Sequence, residues 1–263
     1  MDALLSPDEG PAVEVREGSG PFVVACEHAS NRIPRALGSL GLAPADLQRH
    51  IAWDPGAADV AVGLNAELGG DIVLQRFSRL IIDCNRAPEL SDAIATLSED
   101  TEIPGNVGLS AEAKASRVRG LWAPFHAALD RLLDLRRATR RPPALVTMHS
   151  FTPVYRGVQR PWHVGIISTA ERHLADAMLA VLRRDKSLVV GDNQPYSPKD
   201  NVDYTIRRHG RDRGVPNVMI EVRNDLLRTV KDIAAWTERL ADALTECAGG
   251  VGLMPAAGAK VAT

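Results

Sequence analysis

The chain has 263 residues, a formal net charge of -2 and 45% hydrophobic residues. This is the composition of an ordinary soluble globule, with no basic excess to attract nucleic acid or an anionic membrane, so a small-molecule partner is expected. Three cysteines (Cys26, Cys84, Cys247), an odd number without CxxC spacing, suggest neither a disulfide framework nor a thiolate zinc site, and they fit a reducing cytoplasm.

The N-terminal segment is acidic and interrupted by Pro7 and Pro11, so it reads as neither a signal peptide nor a membrane span. We expect one domain over residues 13–247, with 1–12 and 248–263 as flexible ends. In chain order the hydrophobic pattern predicts a strand at Phe22–Cys26, a helix at Pro55–Leu68, and strands at Ile72–Leu74 and Leu80–Asp83. A long helix over Ala111–Arg137 follows, capped by Ser110 and divided or kinked at Pro124. Next come strands at Leu145–Met148 and Val164–Ser168, a helix at Ala170–Arg184 capped by Thr169, and a strand at Leu188–Val190. A strand at Val218–Val222 and a helix at Val230–Cys247, capped by Thr229, complete the pattern. Strands interleaved with helices of this length predict an α/β fold of three layers, a mostly parallel mixed sheet with helices on both faces. Residues 87–108, 155–162 and 193–214 are rich in Pro, Gly, Asp, Asn and Arg, which suits loops over a polar site.

Four polar clusters fall at or just after strand ends, where such sheets bind ligands. His28 follows Phe22–Ala25, and His149 follows Leu145–Met148. Neutral imidazoles at the ends of two buried strands can share one cation. Asp54 can supply a third ligand; Asn31 and Glu27 are nearer in sequence but less suitable. Each has a structural reading as well: a strand-end histidine can simply be hydrogen-bonded, and Asp54 before Pro55 is a ready helix N-cap. Glu221 lies inside the apolar run Val218–Val222, where a carboxylate needs a partner. That partner is either a reacting water, making Glu221 a general base, or an arginine such as Arg223. Asn85 with Arg86 can clamp a carboxylate, and Arg207 with His209 adds positive groups for an acidic substrate.

Several motifs together resemble the N-formylglutamate amidohydrolases, also called N-formylglutamate deformylases. They are Glu27-His28-Ala29-Ser30-Asn31 with Ile33-Pro34, Asp54-Pro55-Gly56, Ser78-Arg79 leading to Asp83-Cys84-Asn85-Arg86, His149-Ser150-Phe151, and Glu221-Val222-Arg223-Asn224-Asp225-Leu226. The resemblance implies a phosphorylase/hydrolase-like, zinc-peptidase-like fold and one zinc ion. It implies His28, Asp54 and His149 as metal ligands, with Glu221 as the acid/base. Arg223 would support the oxyanion, and Asn85 and Arg86, aided by Arg79, Arg207 or His209, would hold a substrate carboxylate. The implied reaction converts N-formyl-L-glutamate and water to formate and L-glutamate, a step of histidine degradation. The first motif departs from the proline-histidine-serine-glycine usual in those deformylases, which marks a divergent branch.

Overall fold

The structure is a computed structural model and describes residues 4–138, 143–197, 200 and 202–250. Its strands are β1 (Val13–Arg16), β2 (Phe22–Cys26), β3 (Asp71–Gln75), β4 (Leu97–Ser98), β5 (Thr101–Glu102) and β6 (Ala144–Phe151). These are followed by β7 (Val154–Tyr155), β8 (Val158–Gln159), β9 (Val164–Ile167), β10 (Val190–Asp192) and β11 (Asn217–Arg223). The helices are α1 (Ala57–Leu68), α2 (Ala111–Arg117), α3 (Ala123–Ala138), α4 (His173–Leu182) and α5 (Val230–Gly250).

Seven strands form one sheet in the order β1-β3-β2-β6-β11-β9-β10. The central β3, β2, β6 and β11 run parallel, whereas β1 is antiparallel to β3 and β9 is antiparallel to β11. The fold is therefore the expected three-layer α/β arrangement. Alternation along β2 sends Phe22, Val24 and Cys26 to one face, packed with α1, α4 and α5, and Val23 and Ala25 to the other, packed with α3. Among the described residues no helix is long and apolar enough to cross a membrane.

Three expectations need correction. The predicted strand Leu80–Asp83 is a buried turn: Ile81 N donates to Ser78 O at 3.1 Å, and Leu80 N to Ser78 Oγ at 3.1 Å. Leu80, Ile81 and Ile82 are all buried, so the apolar run records burial and carries no strand period. The N-terminal segment from residue 4 is packed instead of frayed. Ala12 joins the core, and the Glu9 carboxylate accepts from Ser6 N and Oγ and from Arg35 N at 2.8–2.9 Å. At the other end α5 continues to Gly250, and residues 251–263 of the expected flexible tail lie outside the described residues. The long predicted helix does divide near Pro124. A π-helical turn over Val118–Trp122 links α2 to α3, because a proline nitrogen cannot donate to the carbonyl four residues back. Buried Arg117 at the end of α2 then donates to Ile81 O, Asn106 Oδ1 and Gly105 O, fixing the loop that carries Asp83.

Candidate metal centre and active site

The same alternation that packs the sheet aims its polar residues. In β6 and β11, Val146, Met148, Val218 and Ile220 face the α1/α5 side, so His149 and Glu221 project together from the opposite face. They are direct register partners. Glu27 and His28 follow the end of β2 alongside. Asp54 reaches them from the turn before α1, where its backbone nitrogen donates to His28 O at 2.9 Å. Gly56, at φ +79, occupies the N-cap position of α1, and a Cβ there would meet Leu227 Cβ at 2.5 Å. Asp54 is thus freed from capping, and its carboxylate turns inward.

Both Nδ1 atoms converge on one carboxylate oxygen: Asp54 Oδ2 lies 3.2 Å from His28 Nδ1 and 2.9 Å from His149 Nδ1. The remote nitrogens meet carboxylates as well. His28 Nε2 is 2.7 Å from Asp83 Oδ1, and His149 Nε2 is 3.1 Å from Glu27 Oε2. His28, Asp54 and His149 are all buried, and their ligand atoms lie within 4.8 Å of one another. This donor set fits a cation. Two histidines and an aspartate present one atom each to a common point, and each histidine has its other nitrogen against a carboxylate, as metal-binding imidazoles usually do. Asn31, by contrast, donates its amide to Leu47 O, and Glu27 Oε2 lies against His149 Nε2, so neither is part of the cluster that His28, Asp54 and His149 form.

The electrostatics follow from this packing. Burial opposes the charge on Asp54, but His28 and the bonds from His149 and His28 outweigh it and hold the carboxyl well below its usual range. Burial likewise opposes ionisation of Asp83, and Arg79 and His28 hold it well below that range. Burial and Arg79 disfavour a charged His28, yet Asp83 and Asp54 raise its pKa. His149 is raised further, chiefly by Glu27 and the bond to Asp54 against its burial. Glu221 goes the other way for a carboxyl: burial pushes it up to about 7, against the attraction of His149. Its Oε2 is buried without a hydrogen-bond partner.

These groups line a cavity of about 560 Å³, which also takes in Arg79, Asn85, Arg86, Tyr155, Arg160 and Tyr196. Arg79 is pinned between Asp54 Oδ1 at 3.3 Å and Asp83 Oδ2 at 2.8 Å. Arg86 pairs with Asp83 and Asp92. Asn85 ties down the loop above it: Nδ2 donates to Val202 O at 2.6 Å, and Oδ1 accepts from Thr205 N at 3.1 Å. Asp83→Asn should leave His28 without its charged partner, lowering metal affinity about 10- to 100-fold in a competitive chelator titration while the fold is kept.

Three expected site residues are not among those lining the cavity. Arg223 turns from the strand end to Asp225, with Nε 2.8 Å from Oδ1. Arg207 pairs with Asp203 and lies over Tyr204. His209 is fully buried in a second polar cluster, its Nε2 2.8 Å from His126 Nδ1, the rings stacked with centroids 5.1 Å apart. Residues that the sequence reading did not single out are Asp83 as the partner of His28, His50 at 3.3 Å from Asp54 Oδ1, and Arg160 and Tyr196. Asp83 stood within a quoted motif, and Arg160 and Tyr196 stood in segments already read as loops over a site.

The His126/His209 pair has a consequence for stability. Burial, with His209 beside it, holds His126 well below the normal imidazole range, and burial lowers His209 to about 4 against the pull of Asp130. Both are neutral in the fold and protonate in the unfolded chain below about 6.5. The folded state therefore binds fewer protons, and stability present above that pH is lost as pH falls toward 4. Urea unfolding should show a slope of up to about 1.4 kcal/mol per pH unit per imidazole between pH 6.5 and 5, reduced by about one proton's worth in His209→Asn.

The N-formylglutamate amidohydrolase family model matches residues 20–228. The chain belongs to the N-formylglutamate amidohydrolase family. A gene product of Agrobacterium tumefaciens has a solved structure with TM-score 0.92 and 41% sequence identity, covering 95% of this chain and 99% of its own. The N-formylglutamate amidohydrolase of Ralstonia eutropha JMP134 has TM-score 0.67 at 20% identity, covering 92% of this chain and 98% of its own, and shares the fold. No curated protein matches. The family match contains His28, Asp54, Asp83, His149 and Glu221, so the centre lies within the region that defines the family.

Proposed function

We propose that this family member hydrolyses the N-formyl amide of a small acidic amino acid, N-formyl-L-glutamate to formate and L-glutamate, using one zinc ion held by His28, Asp54 and His149. The observation that carries the reading is the convergence of His28 Nδ1, Asp54 Oδ2 and His149 Nδ1 on the floor of a large cavity, with Glu221 opposite His149 in register. Zinc, when bound, would acidify a water and polarise the amide carbonyl. Asp83 holds the remote nitrogen of His28 by a hydrogen bond, and Glu27 Oε2 stands 3.1 Å from that of His149, so each imidazole has a carboxylate behind it.

Glu221, whose buried Oε2 is unpartnered, takes the proton of the attacking water and returns it to the departing amine nitrogen. Its raised proton affinity suits a group that must both gain and lose a proton near neutrality. Arg79 and Arg86, already paired with aspartates, lend positive field to the cavity more than free donors. Asn85 keeps the loop in place, and Arg223, Arg207 and His209 take no part. We place the enzyme in the cytoplasm, where three buried free thiols stay reduced, and at the formate-releasing step of histidine degradation. Formate release from N-formyl-L-glutamate, measured beside N-acetyl- and N-succinyl-L-glutamate, tests the acyl preference. A rate highest for the formyl compound supports it, and undetectable formate refutes it.

A further inference from the structure

We infer that Arg160 is the residue that anchors a carboxylate of the substrate, an inference that rests on the amide-hydrolase reading above. Three arginines of the cavity wall lie in buried or half-buried positions, and two of them are already neutralised: Arg79 by Asp54 and Asp83, Arg86 by Asp83 and Asp92. Arg160 is only 8% exposed, and among the described residues no carboxylate is paired with it. A guanidinium at the cavity wall whose charge no neighbouring carboxylate balances is a ready partner for an anion that enters. Arg156, the other cavity-lining arginine, sits exposed at the turn between β7 and β8, where water hydrates its charge.

The guanidinium of Arg160 is also held in a fixed orientation. It lies over the rings of Tyr155 at 4.5 Å, Tyr196 at 4.9 Å and Phe151 at 5.8 Å, and Phe151 ends the strand that carries His149. Nη1 donates to Tyr196 Oη at 3.2 Å and reaches Thr152 Oγ1 at 3.5 Å. Nε and Nη2 donate to no described group. That unengaged edge has the two parallel N–H groups that match a carboxylate. Aromatic walls fix the plane of the fork without neutralising its charge. The requirement for an acidic substrate would then reside in a residue between the His149 motif and the Glu221 strand, apart from the Asn85-Arg86 pair.

The experiment compares wild type and Arg160→Met, both zinc-loaded, on N-formyl-L-glutamate, N-formyl-L-glutamine and the α-amide of N-formyl-L-glutamate. Loss of a bidentate charged contact should reduce kcat/KM on N-formyl-L-glutamate about 10- to 100-fold, mainly through KM. The same substitution should change little on the monoamide that lacks the carboxylate Arg160 holds, which also tells which carboxylate that is. An equal penalty on all three substrates, or none, overturns the inference. Arg160→Lys keeps the charge and stem but not the fork; it should fall between, and it carries the comparison if the methionine variant does not fold. If wild type cleaves none of the three, the amide-hydrolase reading fails. Calorimetric binding of glutarate then decides the inference alone: weaker binding to Arg160→Met than to wild type supports it, and equal binding refutes it.

Discussion

Glu221→Gln should reduce formate release from N-formyl-L-glutamate by about 100- to 10,000-fold, the usual worth of a positioned general acid/base. The amide keeps the size of the side chain but can neither take a proton from water nor give one to the amine. Glu221 is not among the three residues whose ligand atoms converge, so zinc content should stay at the wild-type level. Stability should hold or rise slightly, because the wild-type carboxylate is buried with one oxygen unpartnered, and burial is what pushes its pKa up to about 7. Steady-state kinetics, metal analysis and a thermal melt on the same preparation separate these effects. A Glu221→Gln enzyme that turns over normally assigns the proton transfer elsewhere.

Asp54→Ala should do more damage to the folded state. The carboxylate contacts the imidazoles of His28 and His149, stands 3.3 Å from His50 Nδ1, and pairs with Arg79 at 3.3 Å. Removing it leaves Arg79 and two proton-loving histidines in the protein interior with one carboxylate fewer. The loss of a buried partner of this kind costs about 3–5 kcal/mol. The metal-free variant should therefore unfold at markedly lower urea than metal-free wild type, and it should retain no stoichiometric zinc after dialysis. Asp83→Asn, which removes a partner behind only one of the histidines, should be milder in both measurements. Equal effects of the two would contradict the separate roles assigned to Asp54 and Asp83.

The parts of the centre legible in the sequence are those that elementary costs dictate. A histidine or glutamate at the end of an apolar β-run has to find a polar partner, and period-2 alternation puts His149 and Glu221 on one face as soon as both strands are recognised. What stayed hidden depends on chain segments far apart. His209 reads as one more positive group in an arginine-rich loop, yet its ring is turned inward to His126, 83 residues away, and no local pattern records that pairing. Arg223 shares the face of Glu221 by periodicity, but Asp225 two residues on captures it. Leu80–Ile82 resembles a strand because three consecutive buried side chains leave no period to distinguish a turn from a ladder. The reversed direction of β9 in a largely parallel sheet likewise follows from packing, with no signal in its four buried residues.

Metal dependence is the central claim, and one titration tests it most directly. The purified protein is stripped with a chelator, zinc is added back in sub-stoichiometric steps, and formate release from N-formyl-L-glutamate is followed. The arrangement of His28, Asp54 and His149 predicts no activity in the stripped protein, a linear gain with added zinc, and a plateau at one equivalent per chain. Full activity without metal, or a gain that ignores the loss of any of these three side chains, would contradict it.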